Sequence, residues 1–289
     1  LTLYVSWLKS DRGSRRNVMK NKYLMIVRVC KVILYFILFI IIQCVVTYGV
    51  TMLWDMNADP SASLGGKMIA ASAASNAVIL ASFLVRRWIP ADMMRVSHDN
   101  ILRVLSPWHI VLGLSALVPL LWIEGLIPES LKQDVLADVL PEMLSSPWGY
   151  IAVGLLAPVA EEVVFRGAIL HEAYGVFSKN IGERPEARWT AIIMTAFLFA
   201  GVHFNPAQMP HAMLMGILLG WLTMRTRSII PAIIIHWLNN SFAFIAFQIW
   251  PESYDMSISD ALGSWLPLAI TVSVAIMSLS VWRIRLMTR

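Results

Sequence analysis

Apolar runs long enough to cross a membrane alternate with short polar segments along the whole chain. A membrane-spanning helix needs about 20 mostly apolar residues. We predict a helix in each of eight apolar segments, at 24–53, 67–85, 107–127, 147–171, 188–205, 209–224, 228–249 and 263–282. The predicted fold is therefore an all-α integral membrane protein with about eight transmembrane helices.

The composition agrees with this pattern. Hydrophobic residues make up 58% of the 289 residues and charged residues only 14%, whereas ordinary soluble domains carry about 25% charged residues. Both cysteines, Cys30 and Cys44, lie in the first apolar segment, which argues against a disulfide scaffold. The pI near 9.4 could suggest a nucleic-acid partner. The positions of the basic residues favour membrane topology instead, and no nucleic-acid partner is expected.

Basic residues concentrate in alternate loops, as the positive-inside rule requires. With both termini in the cytoplasm, only Lys67 and Lys132 lie on the outer side, and Arg166 lies within the membrane. The other basic positions used here are Lys9 to Lys22, Arg28, Lys31, Arg86, Arg87, Arg95, Arg103, Lys179, Arg184, Arg188, Arg225, Arg227, Arg283, Arg285 and Arg289. This distribution predicts two cytoplasmic termini.

The predicted organisation is a basic cytoplasmic tail at 1–23 followed by a single transmembrane domain at 24–289. The first apolar run is too long for the core of a signal peptide, so no cleavable signal is expected. Because the sequence begins with Leu1, Met19 is a candidate alternative start. The segment 128–146 is either an amphipathic helix on the outer surface or a solvated loop helix, and we favour the latter.

Two adjacent glutamates and an arginine lie inside the fourth apolar segment. An ionised carboxylate in hydrocarbon costs several kcal/mol, so intramembrane acids indicate a functional site. Glu162 and Arg166 are four residues apart and can pair on one helix face. Glu161 is rotated about 100° from Glu162 and is free to act as a general base. An ion pair that only joins helices is the alternative for Glu162 and Arg166.

Two later segments repeat the four-residue spacing with polar side chains. Phe199 precedes His203, and His236 precedes Asn240. Taken alone, His203 could simply hydrogen-bond at a helix end. His236 and Asn240 could be interhelical polar contacts worth only about 0.6–2 kcal/mol. Three polar pairs at membrane depth together predict one assembled site. We do not expect a catalytic role for the remaining candidates His171, Glu172 and His211.

These residues resemble the three motifs of the CPBP family, the CAAX-processing and bacteriocin-processing intramembrane proteases once called Abi proteins. The matching stretches are EEVVFR from Glu161, FAGVH from Phe199 and HWLNN from His236. The resemblance covers roughly 147–245. Within it, Gly216 and Gly220 would allow two helices to approach closely.

The resemblance implies a CAAX-protease-like helical core and a role for each motif residue. Glu161 would activate water as general base, and His203 would work with it in proton transfer. His236 and Asn240 would stabilise the tetrahedral oxyanion by donated hydrogen bonds. Supporting positions would be Glu162, Arg166 and Phe199.

The family has also been regarded as zinc-dependent. In that interpretation Glu161, His203 and His236 would be the metal ligands, since two histidines and a carboxylate suit a catalytic zinc with an open water position. No His-Glu-x-x-His motif is present. Both mechanisms use the same residues, so the sequence leaves both open.

The predicted function is hydrolysis of a peptide bond in a membrane-associated protein or peptide. A proton-coupled transporter and a non-catalytic bacteriocin-immunity or scaffold protein are the alternatives. Expected partners are membrane lipid and the substrate, and the expected location is a bacterial inner membrane. Glu161 lies about 21 Å from the outer start of its helix, which favours substrate access from the cytoplasmic side.

Overall fold

The computed structural model describes residues 2–57, 63–128, 130, 135–254 and 256–288. These residues form helices and connecting turns, with no strand among them. Lys132 and Arg289, two of the charges used in the topology prediction, lie outside the described residues. The predicted all-α class is confirmed.

Eight long helices lie within the described residues, one at each predicted apolar segment. They are α1 (Thr2–Asn57), α2 (Leu64–Val85), α3 (Pro107–Gly125), α4 (147–181), α5 (Pro185–Gly201), α6 (Met209–Thr226), α7 (Ile230–Ile249) and α8 (Leu266–Met287). Short helical turns lie between them, at Ala91–Met94, Ile101–Val104, Leu140–Ser145, Pro251–Tyr254, Ile258–Leu262 and Gly263–Trp265.

Five helical stretches of the described chain are long and apolar enough to cross a membrane: Asn21–Met56, Leu64–Val85, Ile101–Gly125, Ile230–Ile249 and Ile258–Met287. Helices α4, α5 and α6 are not among them. The α-helical segments within α4 are at most 12 residues long, and α5 has only 17 residues. The five stretches indicate a multi-pass membrane protein, while the count of eight spans and the cytoplasmic termini stay predictions.

Helix α1 is longer than the first apolar run. Its 56 residues begin at Thr2, so the predicted basic tail at 1–23 continues the helix through its described residues. At 1.5 Å per residue, α1 is about 84 Å long, roughly twice the thickness of a bilayer with its headgroups.

The segment 128–146, which the topology prediction places on the outer side, is described only in part. Residues 129 and 131–134 lie outside the described residues. The end of the segment forms the short helix Leu140–Ser145, which packs against α2 and α7. Glu142 Oε2 accepts a hydrogen bond of 2.8 Å from the Gly65 N–H at the start of α2. This part of the segment is therefore fixed by contacts at helix ends.

Helix α4 lies at the centre of the site-bearing half of the molecule. It packs against α1, α2, α5 and α7, and every residue of Val163–Ile169 is buried. A helix that is buried on all sides must be apolar on all sides, which explains the unbroken apolar run around the charged residues. On the other side of the molecule, α3 packs against α6, α7 and α8.

Helix α4 is not a regular α-helix, although its sequence pattern predicts one. Two π-helical stretches, Tyr150–Leu156 and Val163–Ile169, flank the α-helical segment Ala157–Glu162. Segments of π-helix are rare and are frequent at functional sites. Here they flank the segment that carries both glutamates.

Helices α5 and α6 approach each other closely, as the glycines of α6 predict. A Cβ atom on Gly216 would lie 2.9 Å from Ala196 Cβ and 3.0 Å from Ala196 Cα, and one on Gly220 would lie 3.1 Å from Ile192 Cγ2. The two glycines therefore set the distance between α5, which carries Phe199, and α6.

We predict that Gly216→Val lowers the apparent Tm in detergent micelles by about 2–10 °C, because overpacking costs about 1–3 kcal/mol. Gly49→Val is the matched control, since a Cβ at Gly49 would meet no atom within 4 Å. Thermal unfolding followed by tryptophan fluorescence measures both variants. Equal shifts in the two variants would contradict the close approach of α5 and α6.

Candidate active site

A buried ion pair lies at the centre of the candidate site. Arg166 Nη1 donates to Glu162 Oε1 at 2.7 Å, and the two side chains are 2% and 0% exposed. The pairing is the one that the four-residue spacing predicts. Burying two charges is costly unless further contacts compensate them. Arg166 makes such a contact with an aromatic ring, because its guanidinium lies 4.2 Å from the centre of the Phe199 ring.

The pair keeps unused hydrogen-bonding capacity. Glu162 Oε2 and Arg166 Nη2 are buried and have no hydrogen-bond partner among the described residues. Groups of this kind are rare in folded proteins, and they are worth explaining where they occur. Their position beside the other candidate residues agrees with a site built for polar chemistry.

His236 connects helix α7 to both glutamates of α4. Its Nδ1 lies 2.9 Å from Glu162 Oε1, and its Nε2 lies 3.8 Å from Glu161 Oε2. Because a carboxylate can only accept, Nδ1–H is the donor of the shorter contact. That bond selects the histidine tautomer and leaves Nε2 facing Glu161.

The two adjacent glutamates have different surroundings. The Glu162 side chain is fully buried, while the Glu161 side chain is 17% exposed. This difference follows from the rotation of about 100° between neighbouring helical residues. Glu161 is therefore the carboxylate of the pair that water can reach.

Phe199 is the residue through which helix α5 contacts the candidate site. Its ring centre lies 4.9 Å from that of His203, 5.8 Å from that of His236 and 5.2 Å from that of Phe165. All three contacts are edge-to-face, the arrangement that the charge distribution of aromatic rings favours.

His203 lies just beyond the end of α5, as the helix-end alternative predicts. Its Nδ1–H donates to the Phe199 carbonyl at 2.8 Å, which leaves Nε2 as the acceptor. Within the described part of the chain, His203 makes no hydrogen bond or ion pair with Glu161 or His236. Its part in proton transfer stays a prediction.

Asn240 lies one turn after His236 on α7 and bonds to the backbone of α4. Its Nδ2 donates to the Val153 carbonyl at 3.0 Å. That carbonyl lacks both of the usual helical donors, because the Ala157 N–H bonds to the Ala152 carbonyl and Pro158 has no N–H. The irregular backbone of α4 therefore presents an acceptor to α7.

Sequence reasoning missed a second polar contact between α4 and α7. Trp237 Nε1–H donates to the Tyr150 hydroxyl at 3.0 Å, and the same hydroxyl lies 3.0 Å from Ser241 Oγ. Trp237 and Ser241 are four residues apart, the spacing also found for His236 and Asn240. That repeat was the signal that could have identified them.

Glu172 joins helix α4 to helix α1 through two ion pairs. It is buried, and its two oxygens each lie 2.9 Å from a cation of α1, at Arg28 Nη1 and Lys31 Nζ. The two cations compensate the charge and join α1 to α4. Its neighbour His171 is exposed.

The described residues do not group into a metal site. Within them, no three His, Cys, Asp or Glu side chains lie together as a metal ion requires. Of the three predicted zinc ligands, only Glu161 and His236 are in contact. The described geometry therefore does not bring the three predicted ligands together around one zinc ion.

Comparison with known proteins agrees with the motifs. A family model described as Rce1-like, type II CAAX prenyl endopeptidase Rce1-like, matches residues 143–242. No curated protein and no solved structure matches the chain. The matched range includes every predicted site residue, and the family is one of endopeptidases, which supports peptidase activity. The resemblance inferred from the three motifs is confirmed over this range: residues 143–242 match the model of an Rce1-like family, which is part of the CPBP group.

Proposed function

We propose that this protein is an intramembrane endopeptidase that hydrolyses a peptide bond of a membrane-associated protein or peptide. The observation that carries the proposal is the contrast between two neighbouring carboxylates. Glu162 is sealed in an ion pair, whereas Glu161 is partly exposed and lies 3.8 Å from His236 Nε2. The match to an endopeptidase family supports the same conclusion.

In the proposed reaction, Glu161 removes a proton from a water molecule that also contacts His236. The separation of 3.8 Å exceeds a direct hydrogen bond, and at such distances a water can join two groups. The resulting hydroxide attacks the carbonyl carbon of the scissile bond. The proton then passes to the leaving nitrogen as the bond breaks, with His203 Nε2 as a second acceptor and donor.

The negative charge on the carbonyl oxygen of the intermediate needs donors that are already oriented. His236 can donate Nε2–H to this oxygen while Nε2 holds the proton that Glu161 removed from water, and its ring is held by the bond from Nδ1 to Glu162. Asn240 uses one N–H on the Val153 carbonyl and keeps the second for the substrate. Donors oriented in advance stabilise such charge strongly in a dry site.

Glu162, Arg166 and Phe199 act as positioning residues in this proposal. Glu162 Oε1 accepts from both Arg166 and His236. Phe199 covers the guanidinium and contacts both histidine rings. A change in any of them would act through His236.

We propose catalysis by glutamate and histidine without a metal. The donor set does not form a group, and the reaction above balances with the residues of the chain alone. A zinc-dependent reaction through Glu161, His203 and His236 is the competing mechanism, and treatment with a chelator distinguishes the two.

The proposed setting is a bacterial inner membrane, with both termini in the cytoplasm and substrate access from that side. The matched family acts on prenylated CAAX proteins by its name. For this chain we propose the wider class of membrane-associated peptides, with a prenylated peptide as one member of the test set.

We predict that Glu161→Gln lowers cleavage of a fluorogenic membrane-peptide library at least about 100-fold, because general-base catalysis contributes about 10²–10⁴-fold. Glu186→Gln, an exposed acid at the start of α5, is the matched control and should cleave like wild type. The assay uses purified protein in detergent, with and without a chelator.

Retained cleavage in Glu161→Gln would overturn the proposed base. Loss of wild-type activity with chelator, restored by zinc, would support the metal mechanism instead. A folded wild-type protein that cleaves no member of the library would favour the transport or immunity alternatives.

We also predict that Arg166→Met lowers the free energy of unfolding by about 3–5 kcal/mol, because it leaves the Glu162 charge buried without its partner. The double variant Glu162→Gln/Arg166→Met should recover most of that loss, since no charge remains buried. Arg188→Met, at an exposed position of α5, is the control. Thermal unfolding in detergent measures all three, and equal destabilisation of the single and double variants would contradict the prediction.

A further inference from the structure

A chain of polar contacts runs from the outer end of α3 to Asn240. His211 Nδ1, in the first turn of α6, lies 3.1 Å from Glu124 Oε2 in the last turn of α3. His211 Nε2 lies 3.0 Å from Asn239 Oδ1 on α7. Asn239 Nδ2 in turn lies 3.3 Å from Asn240 Oδ1. We call Glu124, His211 and Asn239 the outer relay.

The two hydrogen bonds of the outer relay, both made by Asn239, have a definite direction. Asn239 Oδ1 can only accept, so His211 donates through Nε2–H. With Oδ1 occupied in this way, the Asn239 amide presents its NH₂ group to Asn240 Oδ1. Glu124 Oε2 lies at ion-pair distance from Nδ1 on the other side of the imidazole and makes no hydrogen bond with it, so it attracts the ring only when both ring nitrogens carry a proton.

The relay decides which end of the Asn240 amide faces the site. The oxygen and nitrogen ends of an asparagine amide are nearly identical in shape, so only hydrogen bonds distinguish the two orientations. Asn240 Oδ1 accepts a hydrogen bond from Asn239 Nδ2, and Asn240 Nδ2 donates one N–H to the Val153 carbonyl. The direction of the second Asn240 N–H, which bonds to neither of these groups, is then fixed as well.

The Val153 carbonyl strengthens the same orientation from α4. It lacks both helical donors, since Ala157 bonds to Ala152 and Pro158 has no N–H. A buried carbonyl without a donor is unfavourable. Turning the Asn240 amide over would therefore leave Val153 unsatisfied and bring two amide oxygens together.

We propose that the outer relay positions Asn240 as a hydrogen-bond donor to the substrate oxyanion. This rests on the proposed endopeptidase function, and it gives His211 and Glu124 a positioning role that the sequence did not predict. Simple helix-joining contacts are the competing interpretation. They would affect stability without changing the orientation of Asn240.

The first test measures that orientation without using activity. Protein labelled with ¹⁵N-asparagine in detergent micelles gives side-chain amide resonances, and Asn240→Asp identifies those of Asn240 by their loss. His211→Phe keeps a flat ring and removes the donor, so we expect both Asn240 amide resonances to shift. His211→Gln keeps a donor and should restore them. His98→Phe, at an exposed turn, is the control and should change nothing.

The second test uses a peptide that the wild type cleaves. We expect His211→Phe to lower kcat about tenfold, the value of roughly one hydrogen bond, with KM changed by less than about twofold. His211→Gln should recover most of kcat. In the Asn240→Ala background, His211→Phe should cause no further loss, because both changes remove the same donor.

Unchanged Asn240 resonances in a folded His211→Phe variant would overturn the relay, as would losses that multiply in the double variant. Shifted resonances in a protein that cleaves nothing would support the relay and count against the endopeptidase proposal. Size-exclusion chromatography and the apparent Tm identify variants that fail to fold, and Asn239→Leu then provides a second break in the same chain.

Discussion

The ion pair between Glu162 and Arg166 is the constraint on which the rest of the site depends. Both side chains are buried within α4, and neither could remain charged there without the contacts that surround it. His236 from α7 donates to the same carboxylate oxygen, and Phe199 from α5 covers the guanidinium. Two neighbouring helices are therefore oriented by the need to compensate one pair of charges.

The backbone of α4 contributes as much as its side chains. Inside a regular helix, each carbonyl group accepts a hydrogen bond from the N–H four residues on. The π-helical stretch Tyr150–Leu156, followed by Pro158, leaves the Val153 carbonyl available, and Asn240 bonds to it. The contact between α4 and α7 thus combines a charged side chain at one turn with a backbone group at another.

Much of this arrangement follows from local patterns in the sequence. The lengths of apolar runs predict the eight helices, and the four-residue spacing predicts the pairing of Glu162 with Arg166. The motifs also identify His236 as a residue of the same site. These predictions succeed because each depends on neighbours along one helix or on a family pattern.

Other features depend on contacts between distant segments and could not be predicted. Periodicity does not distinguish an α-helix from a π-helical stretch, so the irregularity of α4 was missed. The two ion pairs of Glu172 could not be predicted because its partners, Arg28 and Lys31, are far away in the sequence. His211 was set aside because neither Glu124 nor Asn239 is near it along the chain.

The contrast between Glu161 and Glu162 has a consequence for how this molecule meets its solvent. In a membrane protein, the apolar core and the polar, water-exposed ends of a helix are normally many residues apart. In α4 the buried and the water-exposed environments meet at two consecutive residues. Glu162 is buried beside Arg166, which Phe199 covers, whereas Glu161 is partly exposed. One helix thus keeps the charge of Glu162 fixed in an ion pair away from water and leaves Glu161 where it can exchange protons with water.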